Sequence, residues 1–219
     1  MSSAVWNAVV WDVARAGGIT AYVLLTLAVL VGLALSLRLQ SSRWPRLINS
    51  ELHNFLTLLG LVFTVVHVLA VLIDPFTHLG WKAIFIPFAT TYHPWEMALG
   101  IVGLYLGIAV GISTWLRPWI GYAWWRRFHF VTLLAYLLTT LHSITLGTDT
   151  RTPWALGLYA GSALLVGILL LMRIMKRPAG GKKQATPAAQ SFQKAKVPVM
   201  RSSQRATPVM QSSQSRGAD

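Results

Sequence analysis

The sequence predicts an all-α membrane protein: a bundle of five transmembrane helices with the N-terminus outside, the C-terminus cytoplasmic and a disordered tail. Three observations carry that expectation. The 219 residues are 54% hydrophobic and only 11% charged, with a mean hydropathy of +0.55, a composition suited to lipid as solvent. Uncharged runs at 16–37, 52–73, 97–116, 128–148 and 152–172 each approach the ~20 apolar residues that cross a bilayer. Between the runs, assigning loops alternately gives one side sixteen of the nineteen Lys and Arg and the other side only Arg15, Lys82 and Arg151. Counting the short loops alone still gives six against three, so the positive-inside rule orients the chain.

Taken in order, residues 1–15 carry Trp6 and Trp11 ahead of Asp12 and Arg15, the mix of a short interfacial segment. The first helix is expected to start after Gly17-Gly18. No basic stretch precedes it, so it reads as a permanent span and not a cleaved signal. Ser41-Ser42-Arg43-Trp44-Pro45-Arg46 ends that helix and leads to Asn49-Ser50-Glu51, the expected caps of the second. The stretch from Asp74 to Trp95, broken by Pro75, Pro87 and Pro94, is too short for another span. Within it Trp81, Ile84, Phe85 and Phe88 recur at helical spacing, which predicts a short amphipathic helix serving as a lid or as an ordinary aromatic belt. On the third span Gly103, Gly107 and Gly111 form a small-residue face for close helix packing, or for the edge of a flat cofactor. The span-bearing domain therefore occupies 16–175, and the Gly, Ser, Gln, Lys and Pro-rich segment 176–219 is a basic tail expected to be disordered. Its cations either meet anionic membrane lipids or are simply solvated.

A net charge of +13 suggests nucleic acid in a soluble protein, but here the cations are sorted by membrane side, so nucleic acid is disfavoured. The chain has no cysteine, which excludes disulfides, Cys-ligated zinc, iron–sulfur clusters and covalent haem attachment.

The remaining chemical signal is histidine. His53 and His67 lie fourteen residues apart in the second span, and His129 and His142 thirteen apart in the fourth. At about 1.5 Å per residue each interval spans roughly 20 Å, inside a hydrocarbon core about 30 Å thick. Helices separated by one span run in the same direction, so His53 faces His129 near the cytoplasm and His67 faces His142 near the outside. Ionisable groups at this depth are costly and need partners. Ligands so far apart along one helix cannot converge on a single zinc ion, and no intramembrane carboxylate is available to relay protons. Two imidazoles per leaflet suit haem b, two expected and one possible, with the four histidines on the iron. Bis-His ligation leaves no open position, which suits single-electron transfer. Arg43, Arg46, Arg126 and Arg127 on one side, and Arg15, Lys82 and Arg151 on the other, are the cations near enough to meet propionates. Helical geometry returns His67 to within roughly 40° of His53 but leaves His142 about 140° from His129. A 3₁₀ or π irregularity, or a non-ideal helix start at His129, must absorb that difference. Tyr136 and Phe63 sit at depths between the two sites.

These residues, together with Ala14-Arg15-Ala16-Gly17, Asp74-Pro75, Pro87-Phe88, Trp125-Arg126-Arg127-Phe128-His129 and Leu146-Gly147-Thr148-Asp149, give a chain that resembles the ferric reductase-like transmembrane superfamily over about residues 10–175. That superfamily includes ferric reductases, NADPH oxidase cytochrome subunits and the haem subunit of a periplasmic methionine sulfoxide reductase system. The resemblance implies a b-type cytochrome in the cytoplasmic membrane that moves electrons to an outer-side acceptor, and it places Arg15 at the acceptor side as the candidate catalytic residue. Two departures matter. Residues 176–219 are too short and polar for flavin and nicotinamide domains, so a separate donor, flavoprotein or quinol, is expected. The oxidases tend to carry another histidine one turn beyond the outer ligand, where this chain has Val71, which disfavours oxygen reduction. His78 and His93 lie in the outer loop, either solvated or near an acceptor. The alternatives are a haem subunit serving methionine sulfoxide repair and a haem-free membrane scaffold or transporter-like bundle.

Overall fold

The computed structural model describes residues 2–39, 46–75 and 79–176. Arg43, His78, the side chain of Arg46 and the tail beyond Lys176 lie outside the described residues. Among those described, eight helices and no strand occur: α1 (Ser3–Leu37), α2 (Arg46–Ile73), α3 (Trp81–Phe85), α4 (Pro94–Trp115), α5 (Arg117–Ile120), α6 (Tyr122–His129), α7 (Val131–Leu146) and α8 (Pro153–Met175). Five stretches are long and apolar enough to cross a membrane: Ser3–Leu37, Leu47–Ile73, Pro94–Trp115, Tyr122–Leu146 and Pro153–Met175. Their outward faces carry large bare side chains such as Phe55, Leu58 and Leu69 on α2 and Leu164, Leu171 and Ile174 on α8. A face of this kind is stable against lipid, where the backbone is satisfied within each helix.

Several boundaries differ from the sequence expectation. The first helix does not begin after Gly17-Gly18 but runs unbroken from Ser3, with the Ser2 hydroxyl accepting from the Val5 N–H at 3.5 Å. Glycine inside a helix costs about 1 kcal/mol relative to alanine. Burial of Val10, Ala14 and Gly17 offsets that cost. At about 1.5 Å per residue, α1 extends some 50 Å, more than the hydrocarbon thickness, so one end protrudes. Similarly, α2 starts at Arg46, which puts Asn49, Ser50 and Glu51 inside its opening turns instead of at its cap. The expected surface helix is present as α3, but it ends at Phe85, and Phe88 beyond it has φ of 65°. Of the small-residue face on α4, only Gly103 packs: a methyl there would meet Thr139 of α7, whereas Gly107 and Gly111 face open space.

Packing organises the bundle into pairs. α1 lies along α2, α4 lies along α7, and α1 also touches α7 and α8. By contrast α2 and α7 scarcely touch each other, although both carry the paired histidines. Midway along the bundle Tyr22 ties three helices together. Its hydroxyl is 2.5 Å from Ser162 Oγ on α8 and 3.4 Å from the Tyr136 hydroxyl on α7, and its ring stands edge-on to Tyr159 at 5.1 Å. At one end of the bundle, Lys176 Nζ donates to the Leu37 carbonyl at 2.8 Å, a cation on a helix C-terminus, where charge and dipole agree.

Interhelical hydrogen bonds inside a bilayer contribute about 0.6 kcal/mol on average and up to about 1.7. Ser162→Ala is expected to lower unfolding stability in detergent or bicelles by about 1 kcal/mol, with Tyr22→Phe costing more because it removes both hydroxyl contacts. Unchanged stability in both variants would show that the network does not hold α1, α7 and α8 together.

Candidate functional site

Each of the four intramembrane histidines is half-buried, and each has its ring on a face that turns inward. At one end, His53 of α2 and His129 at the end of α6 approach with ring centres 6.2 Å apart and planes crossed at 68°. At the other end, His67 of α2 and His142 of α7 line one cavity. The structure thus pairs first with first and second with second, as the helix directions required.

The angular mismatch on the fourth span is absorbed at a break. α6 ends at His129 and α7 begins at Val131. Around the break the bonds run to the third residue, Phe130 N–H to Arg127 O at 3.2 Å and Leu133 N–H to Phe130 O at 3.0 Å, the tighter 3₁₀ pattern. Thr132 Oγ1 donates to the His129 carbonyl. This irregularity rotates the His129 ring toward His53.

Three imidazoles are anchored alike. His53 Nδ1 lies 2.9 Å from the Ala28 carbonyl, His67 Nδ1 2.7 Å from the Ala14 carbonyl, and His142 Nδ1 2.8 Å from the Glu96 carbonyl. A carbonyl oxygen only accepts, so each Nδ1 carries the proton and each Nε2 keeps its lone pair. That is the tautomer a metal ligand needs, with its second nitrogen held by a backbone oxygen. His129 differs. Its Nδ1 is buried and has no hydrogen-bond partner among the described residues, and its ring lies 5.0 Å from the Trp125 ring, tilted by 33°. Trp125 is itself fixed, donating from Nε1 to Thr114 Oγ1 at 3.1 Å with the Arg117 guanidinium 5.3 Å above its ring.

The cavity at the His67 and His142 end measures about 280 Å³. A water needs only about 10–15 Å³ by the same measure, so the space is that of an extended organic group. Apolar side chains including Val68, Val71, Leu79, Ile84 and Met97 dominate the wall. Ile84 brings α3 over the cavity, packed with Leu79 and Met97, so the short helix covers the site.

Of the cations expected near propionates, Arg15 alone lines this cavity among the described residues. Its Nε and Nη2 reach Asp149 Oδ2 and Oδ1, each at 2.5 Å, a two-pronged pair that ties α1 to the segment before α8. Lys82 lies over the Trp81 ring at 5.7 Å instead. At the opposite end Arg126 and Arg127 are exposed. The Arg127 guanidinium sits 5.4 Å over Trp124, and Arg126 is near enough to Arg173 for the two to repel. His93 caps α4 with φ of 44° and stands 3.7 Å from the Glu96 carboxylate, exposed and away from the cavity wall.

Asp149 was visible in the sequence only as part of a short motif, and its pairing with Arg15 had no local signal. The carbonyls of Ala14, Ala28 and Glu96 had none either, because every residue carries one. No three His, Asp or Glu side chains converge on a bare metal ion among the described residues. Two imidazoles are an incomplete ligand set for most protein metal ions, so a metal held by either pair would take its remaining ligands from elsewhere. Comparison with protein-family models, with curated proteins and with solved structures returns no match.

The Arg15–Asp149 pair sits at the cavity wall, so its loss should loosen access. With a single cysteine at Thr139, which lines the cavity and is half-buried, Asp149→Asn is expected to speed labelling by a water-soluble maleimide several-fold. An unchanged rate would rule out the pair as a closure.

Proposed function

We propose that this chain is a di-haem b-type cytochrome of the ferric reductase-like kind, passing electrons across a membrane from a donor on the cytoplasmic side to an outer-side acceptor. The observation that carries the reading is the spacing of the His53 and His129 rings, 6.2 Å between centres. Two imidazoles that held one metal between them would have ring centres roughly 6–6.5 Å apart, from metal–nitrogen distances of about 2 Å and a ring centre about 1.1 Å further on. The second pair shares a cavity of organic-molecule size, and three of the four rings are locked with Nε2 free.

Haem, when bound between two imidazoles, supplies a one-electron carrier with no open coordination position. The protein's own residues supply placement and insulation. α1 and α4 hold the histidines of α2 and α7 through backbone oxygens, which raises the ligands' basicity and fixes ring orientation. α3 with Ile84, and the apolar wall around it, exclude water from one end. Open space under Gly107 and Gly111 leaves room toward the other end, on the helix face where Gly103 already packs on α7. Arg15 is the cation placed to meet an anionic group at the outer cavity, in competition with Asp149. The distribution of Lys and Arg supports an orientation with α3 and the His67–His142 end outside and Arg117, Arg126 and Arg127 inside.

A second reading, the haem subunit of a methionine sulfoxide repair system with one haem, is favoured by the unanchored His129, which leaves one end less firmly built than the other. Stoichiometry separates the two. Protein purified from haem-replete cells is expected to show a b-type reduced-minus-oxidised spectrum with two haems per chain. His67→Ala or His142→Ala should remove the outer haem alone, and His53→Ala or His129→Ala the inner one alone. One haem in the unmodified protein would shift the assignment to the second reading. Haem-free protein would leave a membrane scaffold or transporter-like bundle.

A further inference from the structure

In an α-helix the carbonyl of residue i lies beneath residue i+4, whose N–H it accepts. Each of the three carbonyls that anchor a histidine has glycine in that covering position: Gly18 follows Ala14, Gly32 follows Ala28 and Gly100 follows Glu96 by four residues. The coincidence recurs on two helices and at both ends of the bundle. It has a steric cause. A methyl on Gly100 would stand 2.6 Å from His142 Nδ1 and Cε1, one on Gly18 would stand 2.9 Å from His67 Nδ1, and one on Gly32 would stand 3.2 Å from His53 Cε1. Carbon does not approach carbon or nitrogen at the first two distances, and the rings cannot move off without losing their carbonyls.

We infer that Gly18, Gly32 and Gly100 are positioning residues: each bares a backbone carbonyl so that an imidazole from the neighbouring helix docks on it through Nδ1, presenting Nε2 to the metal. The role of that metal rests on the function proposed above, while the docking and the tautomer do not. His129 has no such saddle. It is oriented by Trp125 and by the helix break, so the inner site combines one docked ligand with one undocked.

Close packing of helices on glycine is the competing explanation, and Gly103 supplies the control for it. A methyl there would stand 2.8 Å from Thr139 Cγ2, a comparable clash on the same helix, but against a side chain that lines the cavity, bonds only its own helix and anchors no histidine. The test compares Gly100→Ala, Gly18→Ala, Gly32→Ala and Gly103→Ala by haem per chain, by the low-spin ferric EPR signals of the two haems, assigned with His142→Ala, and by unfolding stability. Removing an outer-sphere partner of a ligating histidine typically weakens metal binding 10–100-fold. Gly100→Ala and Gly18→Ala are expected to lose or shift the outer haem signal, with retention weakened roughly 10–100-fold, while the inner signal stays in place. Gly32→Ala should shift the inner signal, and by less. Gly103→Ala should lower stability without favouring either haem.

An outer signal unchanged in Gly100→Ala would overturn the inference, as would loss of both haems in the proportion that Gly103→Ala gives. Should the unmodified protein carry no haem, the functional proposal fails while the docking is still decided by imidazole ¹⁵N NMR of the haem-free protein. Protonated Nδ1 on His142, exchanged for protonated Nε2 in Gly100→Ala, upholds the docking, and the same tautomer in both proteins refutes it.

Discussion

An imidazole at membrane depth has no water to turn to, so its N–H must find an acceptor inside the bundle. Helical carbonyls already accept one bond each but have a second lone pair, and that lone pair is reachable only where no side chain shields it. The intimate pairing of α1 with α2 and of α4 with α7 follows from this requirement. His53 and His67 reach the backbone of α1, and His142 reaches that of α4. The histidine-bearing helices α2 and α7 are thereby positioned by α1 and α4, and α2 and α7 scarcely touch each other.

The two ends solve the same problem differently. Where His67 and His142 meet, both rings are docked and the space between the helices is a covered cavity under α3. Where His53 and His129 meet, regular helix would have carried His129 to the wrong side. The chain gives up a turn of α-helix at Phe130 and recovers the freed backbone groups through 3₁₀ bonds and the Thr132 hydroxyl. With its ring swung inward by the break, His129 has left the reach of any carbonyl, and stacking on Trp125 takes over its orientation. Orientation by stacking fixes the plane of a ring but not its protonated nitrogen, so the inner site is the less constrained of the two.

Much of this was legible in the sequence because membrane burial writes itself in long runs. Five apolar stretches gave five helices long and apolar enough to cross a membrane, and two nearly equal histidine intervals, of fourteen and thirteen residues, gave the pairing. The thirteen-residue interval called for a 3₁₀ or π irregularity, or a non-ideal helix start at His129, if both histidines of that span serve paired sites, but it did not point to Phe130. The misread parts share a cause. Gly17-Gly18 looked like a helix start because glycine is a poor helix former, yet here the pair is retained inside α1 where His67 packs against it. Asn49, Ser50 and Glu51 looked like caps, but α2 is already helical at Arg46, so all three lie inside its opening turns. Gly103, Gly107 and Gly111 read as one packing face, whereas only the first has a neighbour, since helices that cross diverge away from the point of contact. The histidine acceptors were invisible because a carbonyl has no letter in the sequence. Only the glycine four residues later betrays which carbonyl is bare.

The charges follow the same logic of competition for few partners. Arg15 enters the wall of a mainly apolar cavity while its side chain stays 43% exposed, and its planar fork suits a carboxylate partner. Asp149 provides one within the chain itself, through both prongs, so the site is electrically balanced without any ligand. An anionic group arriving at that cavity has to be worth more to Arg15 than the carboxylate it displaces, or else accept the guanidinium's remaining N–H groups alongside it. At the other end, among the described residues, Arg126 and Arg127 are exposed, Arg173 repels Arg126, and the Arg127 and Arg173 guanidinium groups lie over the Trp124 and Phe130 rings. The two ends therefore handle their cations differently: one holds Arg15 in a two-pronged ion pair, and the other rests two of its cations on aromatic faces.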